Sequence, residues 1–521
     1  MRRLLATVAV ACLSTACGST VQLTSTGQVP GSADGLGAPS SGTTGGTDVT
    51  GTTGSSAVGT SGSTSGTSGV VGTSGSTGSV SGATGGTTSG SGTSGSTGLV
   101  AAPSGPIPAT GPGWDKKYVY IGVTTQKDVA TAAQGVGAAG LDAGDQEGQA
   151  KAVIQYLNAH GGLFGRQIKP LFHDQSTVAT AGNPDNAGAV ACSYFTQDNH
   201  VIAVLNPVTL MDVDSFRSCL AKKKVPLFSA SVAPVSQATA ARLQPYFYQS
   251  VAPTWDVLAP ALVKQLQAFN YFGTAWNTST GTSVPGKATL GILTPDTPEG
   301  IRVAGILTKQ LAAIGQPVKS TFRFDPSNNS TTSSAVVQFR SAGVDHVIGT
   351  ESTLVSFQLQ ASTQRYRPRY GVHSLNAPLT FLQTNGGAQQ NTGDVGVGWA
   401  PTLDVDDAHD PGTFNSGVTL CNQIMKAGGQ NTAGKRLAHA VSYAFCDGIR
   451  LIAQSAVQGG GLTGVNIYNG MQKIGPTFPS AFSFAPGLGQ NRLFVPGGVR
   501  PLLFDSGCAC FRYSSTATTR L

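Results

Sequence analysis

The chain of 521 residues has a net charge of +7, but only 11% of its residues are charged, so the positive charge is thinly spread. All 21 Phe, 12 Tyr and 4 Trp lie at or after Trp114, and 50 of the 60 residues from 41 to 100 are Gly, Ser or Thr. The residues before Trp114 therefore cannot build a packed core, and the dilute charge argues against a nucleic-acid partner. The one dense basic run, residues 222–224, falls where a predicted helix ends, and cations there complement the helix dipole.

Residues 1–16 are predicted to be an export signal. Arg2 and Arg3 precede an apolar run over residues 4–13, which is too short to span a bilayer core of roughly 30 Å. Residues 13–17 (LSTAC) resemble a bacterial lipobox, whose cysteine becomes lipidated and N-terminal after cleavage. Cys17 is therefore predicted to anchor the protein to the membrane; the alternative is ordinary secretory cleavage that leaves Cys17 unmodified.

Residues 17–113 are predicted to be a disordered tether rich in Gly, Ser and Thr. A Gly/Ser-rich coil of this length has a root-mean-square span of roughly 50 to 60 Å, which would let the folded part stand away from the membrane. The composition also permits glycosylation of the tether without showing it.

The residues from Trp114 onward are too many for one core and indicate two lobes. In the first half, short apolar strands alternate with amphipathic helices. The predicted strands cover residues 118–123, 168–172, 201–205 and 225–228, and the predicted helices cover 145–160, 187–195 and 211–223. Repeated β-α-β units predict a parallel sheet with helices on both faces.

The same pattern starts again after residue 253. A helix over residues 255–270 leads through a Gly/Thr/Ser loop to a strand over 288–293. Thr297 as N-cap and Pro298 at the first helical position then begin another helix. Further strands are predicted over residues 318–324, 347–349 and 369–372. The fold class is therefore α/β with two doubly wound parallel-sheet lobes, which place ligands outside the carboxyl ends of their strands.

Six cysteines remain if Cys12 leaves with the signal and Cys17 is lipidated. An even number in an exported protein favours disulfides, and no spacing of Cys and His predicts a zinc site. The bridges predicted from consecutive helices are Cys192 with Cys219 and Cys421 with Cys446.

Cys508 and Cys510 stand two apart in a strand-like stretch. Side chains two apart on a strand share one face at roughly 6 to 7 Å, which is near the limit for a disulfide. The two can pair with each other only if the backbone bends between them.

Several segments together resemble a known family. They are residues 144–147 (GDQE), 158–168 (NAHGGLFGRQI), 173–174 (HD), 245–250 (PYFYQS) and 443–457 (YAFCDGIRLIAQSAV). In order and spacing they resemble the type I periplasmic binding proteins that serve ABC transporters, in particular the branched-chain amino acid branch. The resemblance covers residues 117–513.

The resemblance implies three hinge crossings, near residues 250–255, 399–404 and 492–500, and closure of two lobes around a small ligand. It also implies that a membrane permease recognises the closed form. The implied lobes are lobe 1, with residues 114–252 and 401–493, and lobe 2, with residues 253–400 and 494–521. This division disfavours pairing of Cys421 or Cys446 with the cysteines near the C-terminus.

The resemblance also implies ligand contacts, and the candidates are Thr209, Ser229, Ser231, Glu351, Ser374 and Asn376. The first three follow the third and fourth strands, where family members hold an amino acid carboxylate. Ser374 and Asn376 occupy the loop where a Glu that binds the ammonium group is expected, and Glu351 on a neighbouring loop could substitute. Without that Glu, a standard aliphatic amino acid is disfavoured. An ordinary loop or capping role is the alternative for each candidate.

Enzymatic interpretations are weaker. Residues 135–140 (GVGAAG) fit GxGxxG, the dinucleotide-binding fingerprint of a NAD-type oxidoreductase. They begin twelve positions after Val123 instead of directly after the strand, so a loop at the cleft rim is favoured. His173 and Asp174 could be a catalytic pair, but no nucleophile accompanies them. No cofactor and no metal are predicted, and the protein is not expected to be an enzyme.

Together with the predicted export signal and lipidation of Cys17, the resemblance implies an extracytoplasmic solute-binding lipoprotein of an ABC importer. It would capture a small polar solute, such as an amino acid, an amide or a related compound, by hinge closure and deliver it to a permease. A ligand-sensing receptor on the same fold is the main alternative, because it needs the same cleft and hinge. A stalked adhesin is a third, and it would show no ligand-dependent closure.

Overall fold

The computed structural model describes residues 107–131, 141–325, 331–382, 387–488 and 492–521. The predicted signal segment, Cys17, most of the predicted tether and the GxGxxG stretch at 135–140 lie outside these residues. Throughout the part that is described, no helix is both long and apolar enough to cross a membrane.

The first sheet has five parallel strands in the order β2-β1-β3-β4-β5. These are Tyr118–Thr125 (β1), Gln167–Asp174 (β2), Val204–Asn206 (β3), Leu227–Ser229 (β4) and Phe247–Gln249 (β5). Residues 121–125 of β1 are all buried, so both faces of this interior strand are covered. The predicted parallel α/β sheet is confirmed.

Five helices accompany these strands: Gln146–Ala159 (α1), Thr177–Gly182 (α2), Pro184–Ser193 (α3), Asp214–Lys222 (α4) and Gln237–Arg242 (α5). Asp145 caps α1 by accepting a hydrogen bond from the amide of Gly148. A disulfide joins Cys192 at the end of α3 to Cys219 in α4, with Cα atoms 6.2 Å apart, as predicted.

The second sheet has the order β14-β13-β12-β11-β10-β8-β9, with β15 beside β13. The remaining strands are Ala275–Asn277 (β6), Thr282–Val284 (β7), Leu290–Pro295 (β8), Val318–Phe324 (β9), His346–Gly349 (β10), Arg369–His373 (β11), Val395–Gly398 (β12), Gly498–Asp505 (β13), Cys510–Tyr513 (β14) and Thr519–Arg520 (β15). Strands β8 to β12 are parallel, whereas β13 to β15 add an antiparallel edge. The second lobe is therefore a mixed sheet around a parallel centre.

The loop predicted after the helix at 255–270 is a hairpin formed by β6 and β7, so that prediction was wrong in detail. The backbone amide of Trp276 donates to Asp345 at 2.8 Å, and its indole Nε1 donates to the carbonyl of Arg367 at 3.0 Å. These contacts come from residues far away in the sequence, so local composition gave no sign of them.

The later helices are Trp255–Ala268 (α6), Pro298–Ala313 (α7), Thr331–Ser341 (α8), Leu354–Thr363 (α9), Pro378–Leu382 (α10), Gly387–Gln390 (α11), Pro401–Asp404 (α12), Ser416–Ala427 (α13), Arg436–Gly459 (α14) and Gly464–Ile474 (α15). Thr297 caps α7 as predicted, accepting from the amide of Gly300 at 3.0 Å. Helices α13 and α14 return to the first sheet and pack against α1. The predicted bridge between Cys421 and Cys446 joins α13 to α14.

We call the first sheet with α1 to α5 and α13 to α15 the first lobe, and the second sheet with α6 to α11 the second lobe. Three connections run side by side between them, as the predicted fold requires. Gln249 at the end of β5 donates to the carbonyl of Leu493 and accepts from the amide of Val495, at 2.8 and 2.9 Å. The indole of Trp399 donates to the carbonyl of Val251 at 2.9 Å, which ties the second connection to the first.

Candidate ligand-binding cleft

A cavity of about 100 Å³ lies where the carboxyl ends of strands from the two sheets face each other. Its walls follow β1, β3 and β4 on one side and β11 and β12 on the other, and α14 closes it. The lining residues are Gln126, Val129, Leu141, Ala143, Gln146, Pro207, Val208, Thr209, Ala230 and Val232 before the first connection, Ala377, Thr380 and Leu403 after β11 and β12, and Leu437, Ala440, Val441, Ala444 and Phe482 from α14 and beyond. A solute in this cavity would contact both lobes.

The cavity wall is mainly apolar. Among the described residues that form it, none is charged, and the polar side chains are those of Gln126, Gln146, Thr209 and Thr380. Such a wall favours a solute with an apolar body, because burying apolar surface is favourable and an unpaired charge would lose its hydration.

The side-chain amide of Gln126 is the polar group best placed to bind a solute. The side chain of Gln146 is already used, since it accepts from the backbone amide of Gln126 at 3.0 Å and donates to the same residue's carbonyl at 2.7 Å. The side-chain Nε2 of Gln126 is buried and has no hydrogen-bond partner among the described residues. Because a buried donor without a partner is costly, a solute that brings an acceptor would gain by pairing with it.

Helix α14 supplies one wall through its periodicity. Leu437, Ala440, Val441 and Ala444 are spaced i, i+3, i+4 and i+7, so they share one face of the helix. The side chains of the two alanines are short, and they leave the space that the cavity occupies.

Phe482 reaches the wall because Asp447 of α14 holds the segment before it. The Asp447 carboxylate accepts from the amides of Ala481 and Phe482, both at 3.0 Å, and from the hydroxyl of Ser480 at 2.6 Å. Burial raises the pKa of Asp447, and the nearby Arg450 guanidinium opposes that shift. The buried carboxylate therefore positions a cavity wall.

Thr209 is the one sequence-predicted contact that lines the cavity. Its hydroxyl oxygen accepts a 3.4 Å hydrogen bond from the amide of Val232, another lining residue. Thr209 lies directly after β3, where the carboxyl end of a central parallel strand opens toward the other lobe.

Ser229 and Ser231 lie nearby but serve Asp212. Ser229 donates to the buried Asp212 carboxylate at 2.5 Å and Ser231 donates to the same oxygen, while Arg217 pairs with the other oxygen at 2.5 Å. A buried carboxylate needs such partners. Neither serine is part of the described cavity wall.

Ser374 likewise donates to a buried carboxylate, that of Asp404 at the second connection. Its hydroxyl donates to Asp404 and accepts from the amide of Trp399, both at 2.8 Å. Burial raises the pKa of Asp404 to about 7, although hydrogen bonds from Tyr513 and Ser374 favour the ionised form. Ser374 therefore stabilises the connection and does not line the described cavity.

Asn376 and Glu351 hold two loops of the second lobe together. The Asn376 side chain donates to the carbonyls of Glu351 and Gly349 at 2.8 and 3.1 Å. The Glu351 carboxylate accepts from the hydroxyl of Thr353 at 2.5 Å, and burial raises its pKa to about 7. Neither residue is among those that line the cavity.

Sequence reasoning missed the polar residues Gln126, Gln146 and Thr380 and all the apolar ones, above all the α14 face and Phe482. The periodicity of residues 437–444 indicates a buried helix face, but the same pattern is typical of packing against a core. The sequence pattern of a helix face that borders a cavity is the same as that of a face packed against core side chains.

Residues 119–486 match a family model described as periplasmic binding protein, and this is more than half of the chain. The chain belongs to the periplasmic binding protein family. All of the described residues that line the cavity of this periplasmic binding protein fall within the matched range.

Solved structures share the fold of this periplasmic binding protein at low identity. An ABC transporter substrate-binding protein from Desulfitobacterium hafniense in complex with Leu is 15% identical, with a TM-score of 0.50 over 76% of this chain and 100% of that chain. A branched-chain amino acid ABC transporter protein from Thermus thermophilus with bound valine is 11% identical, with a TM-score of 0.53 over 78% and 96%. A fatty acid ABC transporter substrate-binding protein from Thermomonospora curvata is 14% identical, with a TM-score of 0.55 over 80% and 95%. No curated protein matches the chain by sequence.

Proposed function

We propose that this protein is an extracytoplasmic solute-binding lipoprotein of an ABC importer, which closes its lobes on a solute and delivers it to a membrane permease. The observation that carries the proposal is the cavity with walls from both lobes. A solute that contacts Thr209 on one side and Thr380 on the other favours the closed arrangement over the open one. Membership of the periplasmic binding protein family supports the same role.

The proposed solute has an apolar body and one strong hydrogen-bond acceptor, such as a carboxylate. The apolar wall supports the first requirement, and the unpartnered Nε2 of Gln126 supports the second. Leucine and valine are bound in two of the similar structures, and a third is named for fatty acids. Longer aliphatic acids and their amides meet both requirements, whereas an aliphatic amino acid also brings an ammonium group for which no carboxylate lines the described cavity. The proposed solute is therefore more apolar than the small polar solute predicted from the sequence.

A thermal-shift screen of the purified protein tests the solute class. The panel contains leucine, isoleucine, valine and straight-chain aliphatic acids, each beside its primary amide, with serine and glutamine as polar controls. A bound solute raises the melting temperature because it stabilises the folded state by RT ln(1 + [L]/Kd). We expect apolar acids to raise it more than serine or glutamine, and the opposite ranking would contradict the proposed solute class.

Two cavity-filling variants test the site. Ala440→Trp fills the cavity from α14 and Thr380→Trp fills it from the second lobe, and each should abolish the thermal shift given by the best solute. The matched control is Ala312→Trp, on the exposed face of α7, which should keep the shift. A full shift in both cavity variants would show that the solute binds elsewhere.

The proposed membrane anchor is a lipid on Cys17. Mass spectrometry of the mature N-terminus tests this part separately. An unmodified Cys17 would contradict the anchor and leave the solute-binding proposal untouched.

A further inference from the structure

The tip of the β13–β14 hairpin carries a disulfide between Cys508 and Cys510, with Cα atoms 5.2 Å apart. Ala509 between them has a φ of 53°, which is the backbone bend that the sequence required for this pairing. A non-glycine residue in the left-handed region is uncommon and marks a locally strained turn. Cys508 is exposed, whereas Cys510 is buried.

The other two bridges differ from this one in burial and in loop length. Cys421 and Cys446 are fully buried, Cys192 is fully buried against a half-buried Cys219, and those bridges span 27 and 25 residues. A disulfide constrains the unfolded chain more when its loop is longer, and exposure decides whether an external thiolate can reach a sulfur. Of the three bridges, the one at the hairpin tip has the most exposed cysteine and the shortest loop, so it is the bridge most open to exchange.

A histidine lies against Cys510 Sγ, which would be the leaving group if an external thiolate attacked the exposed Cys508. The Nε2 atom of His409 is 3.5 Å from Cys510 Sγ, and its Nδ1 is 2.6 Å from a carboxylate oxygen of Asp406. Asp505 and Arg512, paired at 2.6 Å, are charged groups near the tip of the same hairpin, and Arg500 lies farther along β13. An imidazole oriented by a carboxylate can stabilise a neighbouring thiolate and share a proton with it.

We propose that Cys508, Cys510 and His409 form a thiol–disulfide exchange site whose substrate is an external thiol. The thiolate attacks the exposed Cys508 Sγ and forms a mixed disulfide, the bond between Cys508 and Cys510 breaks, and its electron pair passes to Cys510 Sγ. His409 Nε2 stabilises that thiolate and supplies it with a proton taken up from solvent. A second thiolate then attacks the external sulfur of the mixed disulfide, which releases the oxidised external disulfide and leaves both cysteines reduced.

The exchange site borders the second connection between the lobes. Asp407 and Asp410, on either side of His409, both pair with Nη1 of Arg436, at 2.9 and 2.7 Å. Arg436 is the first residue of α14 and directly precedes Leu437 of the cavity wall. A short series of contacts through Arg436 therefore lies between His409 and the cavity wall.

Selective reduction tests the proposal on the full-length protein under native conditions. The protein is titrated with dithiothreitol, free thiols are trapped with iodoacetamide, and peptide mass spectrometry identifies the alkylated cysteines. We expect Cys508 and Cys510 to be alkylated at a dithiothreitol concentration roughly tenfold below that needed for the other two bridges. Reduction of all three bridges together, or of another bridge first, would overturn the proposal.

The role of His409 is tested by the rate of the same reaction. His409→Gln should slow reduction of the hairpin bridge roughly three- to tenfold, because a leaving thiol of higher pKa departs more slowly. His200→Gln, at an exposed position of the first lobe, is the matched control and should react like the wild type. Equal reduction rates in the wild type and both variants would show that His409 takes no part in the exchange. No solute enters these measurements, so their outcome is independent of the proposed transport function.

Discussion

Glu299, in the first turn of α7 on the second lobe, accepts a hydrogen bond from the backbone amide of Ser236, the N-cap of α5 on the first lobe. The same carboxylate accepts from the hydroxyl of Thr239 at 2.5 Å, and Arg302 donates to that hydroxyl at 3.1 Å. A negative charge at a helix N-terminus is favourable, so this contact stabilises the approach of the lobes.

Glu299→Gln should therefore weaken closure. Loss of the charge at the α5 N-terminus shifts the population toward the open form, and the apparent Kd for the best solute should rise roughly three- to tenfold. Isothermal titration measures the affinity, and small-angle scattering of the solute-free protein should show a larger radius of gyration. Glu147→Gln is the control, because the partners of Glu147 among the described residues are Lys127 and Lys151 of its own lobe. Unchanged affinity and size in Glu299→Gln would contradict a role in closure.

Glu351 gives the stability a predicted pH dependence. Its pKa is about 7 in the folded protein because it is buried, against roughly 4.3 in an unfolded chain. The folded state binds the extra proton between these values, so this group's contribution to stability falls as the pH rises from about 4 to about 7. Glu351→Gln cannot ionise and should gain on the order of 3 to 4 kcal/mol relative to the wild type across that window. Urea unfolding at several pH values measures this, and parallel curves for the two proteins would refute it.

Asp447→Ala should destabilise the first lobe. It leaves the Ser480 hydroxyl, two backbone amides and the buried Arg450 guanidinium without their common acceptor. Removing one partner of a buried charged network costs about 3 to 5 kcal/mol, which urea unfolding would detect. The exposed Asp198→Ala is the control and should change stability by less than about 0.5 kcal/mol. A loss as small as that of the control would mean that Asp447 does not hold the Phe482 segment.

The disulfides should differ in their contribution to stability. Replacing both Cys421 and Cys446 by Ala should lower the free energy of unfolding by about 3 kcal/mol, because the bridge closes a loop of 25 residues. Replacing Cys508 and Cys510 should cost about half as much or less, since their loop is very short. Equal losses in the two double variants, measured by denaturant unfolding, would contradict this loop-length argument.

Local sequence chemistry predicts much of the fold. The buried run of β1 and the pair Thr297 and Pro298 at the start of α7 carry their own signals, because strand burial and helix capping depend on neighbouring residues. The two predicted bridges between consecutive helices follow from the same local reasoning.

The candidate site is harder to predict, because a polar side chain's partner is set by tertiary contacts. Ser229 and Ser231 follow a strand end as a ligand contact would, yet Asp212, folded back from a neighbouring segment, takes both hydroxyls. The cavity wall itself is formed by alanines, valines and leucines, which in sequence cannot be distinguished from core residues.

Two of the protein's four tryptophans, Trp255 and Trp399, lie at the connections between the lobes, and both are fully buried. Trp399 bonds to the first connection, and the backbone amide of Trp255 donates to the carbonyl of Val235 in the first lobe at 2.9 Å. Any relative rotation of the lobes changes the surroundings of these two indoles. Their intrinsic fluorescence can therefore follow opening and closing in real time, with no attached dye.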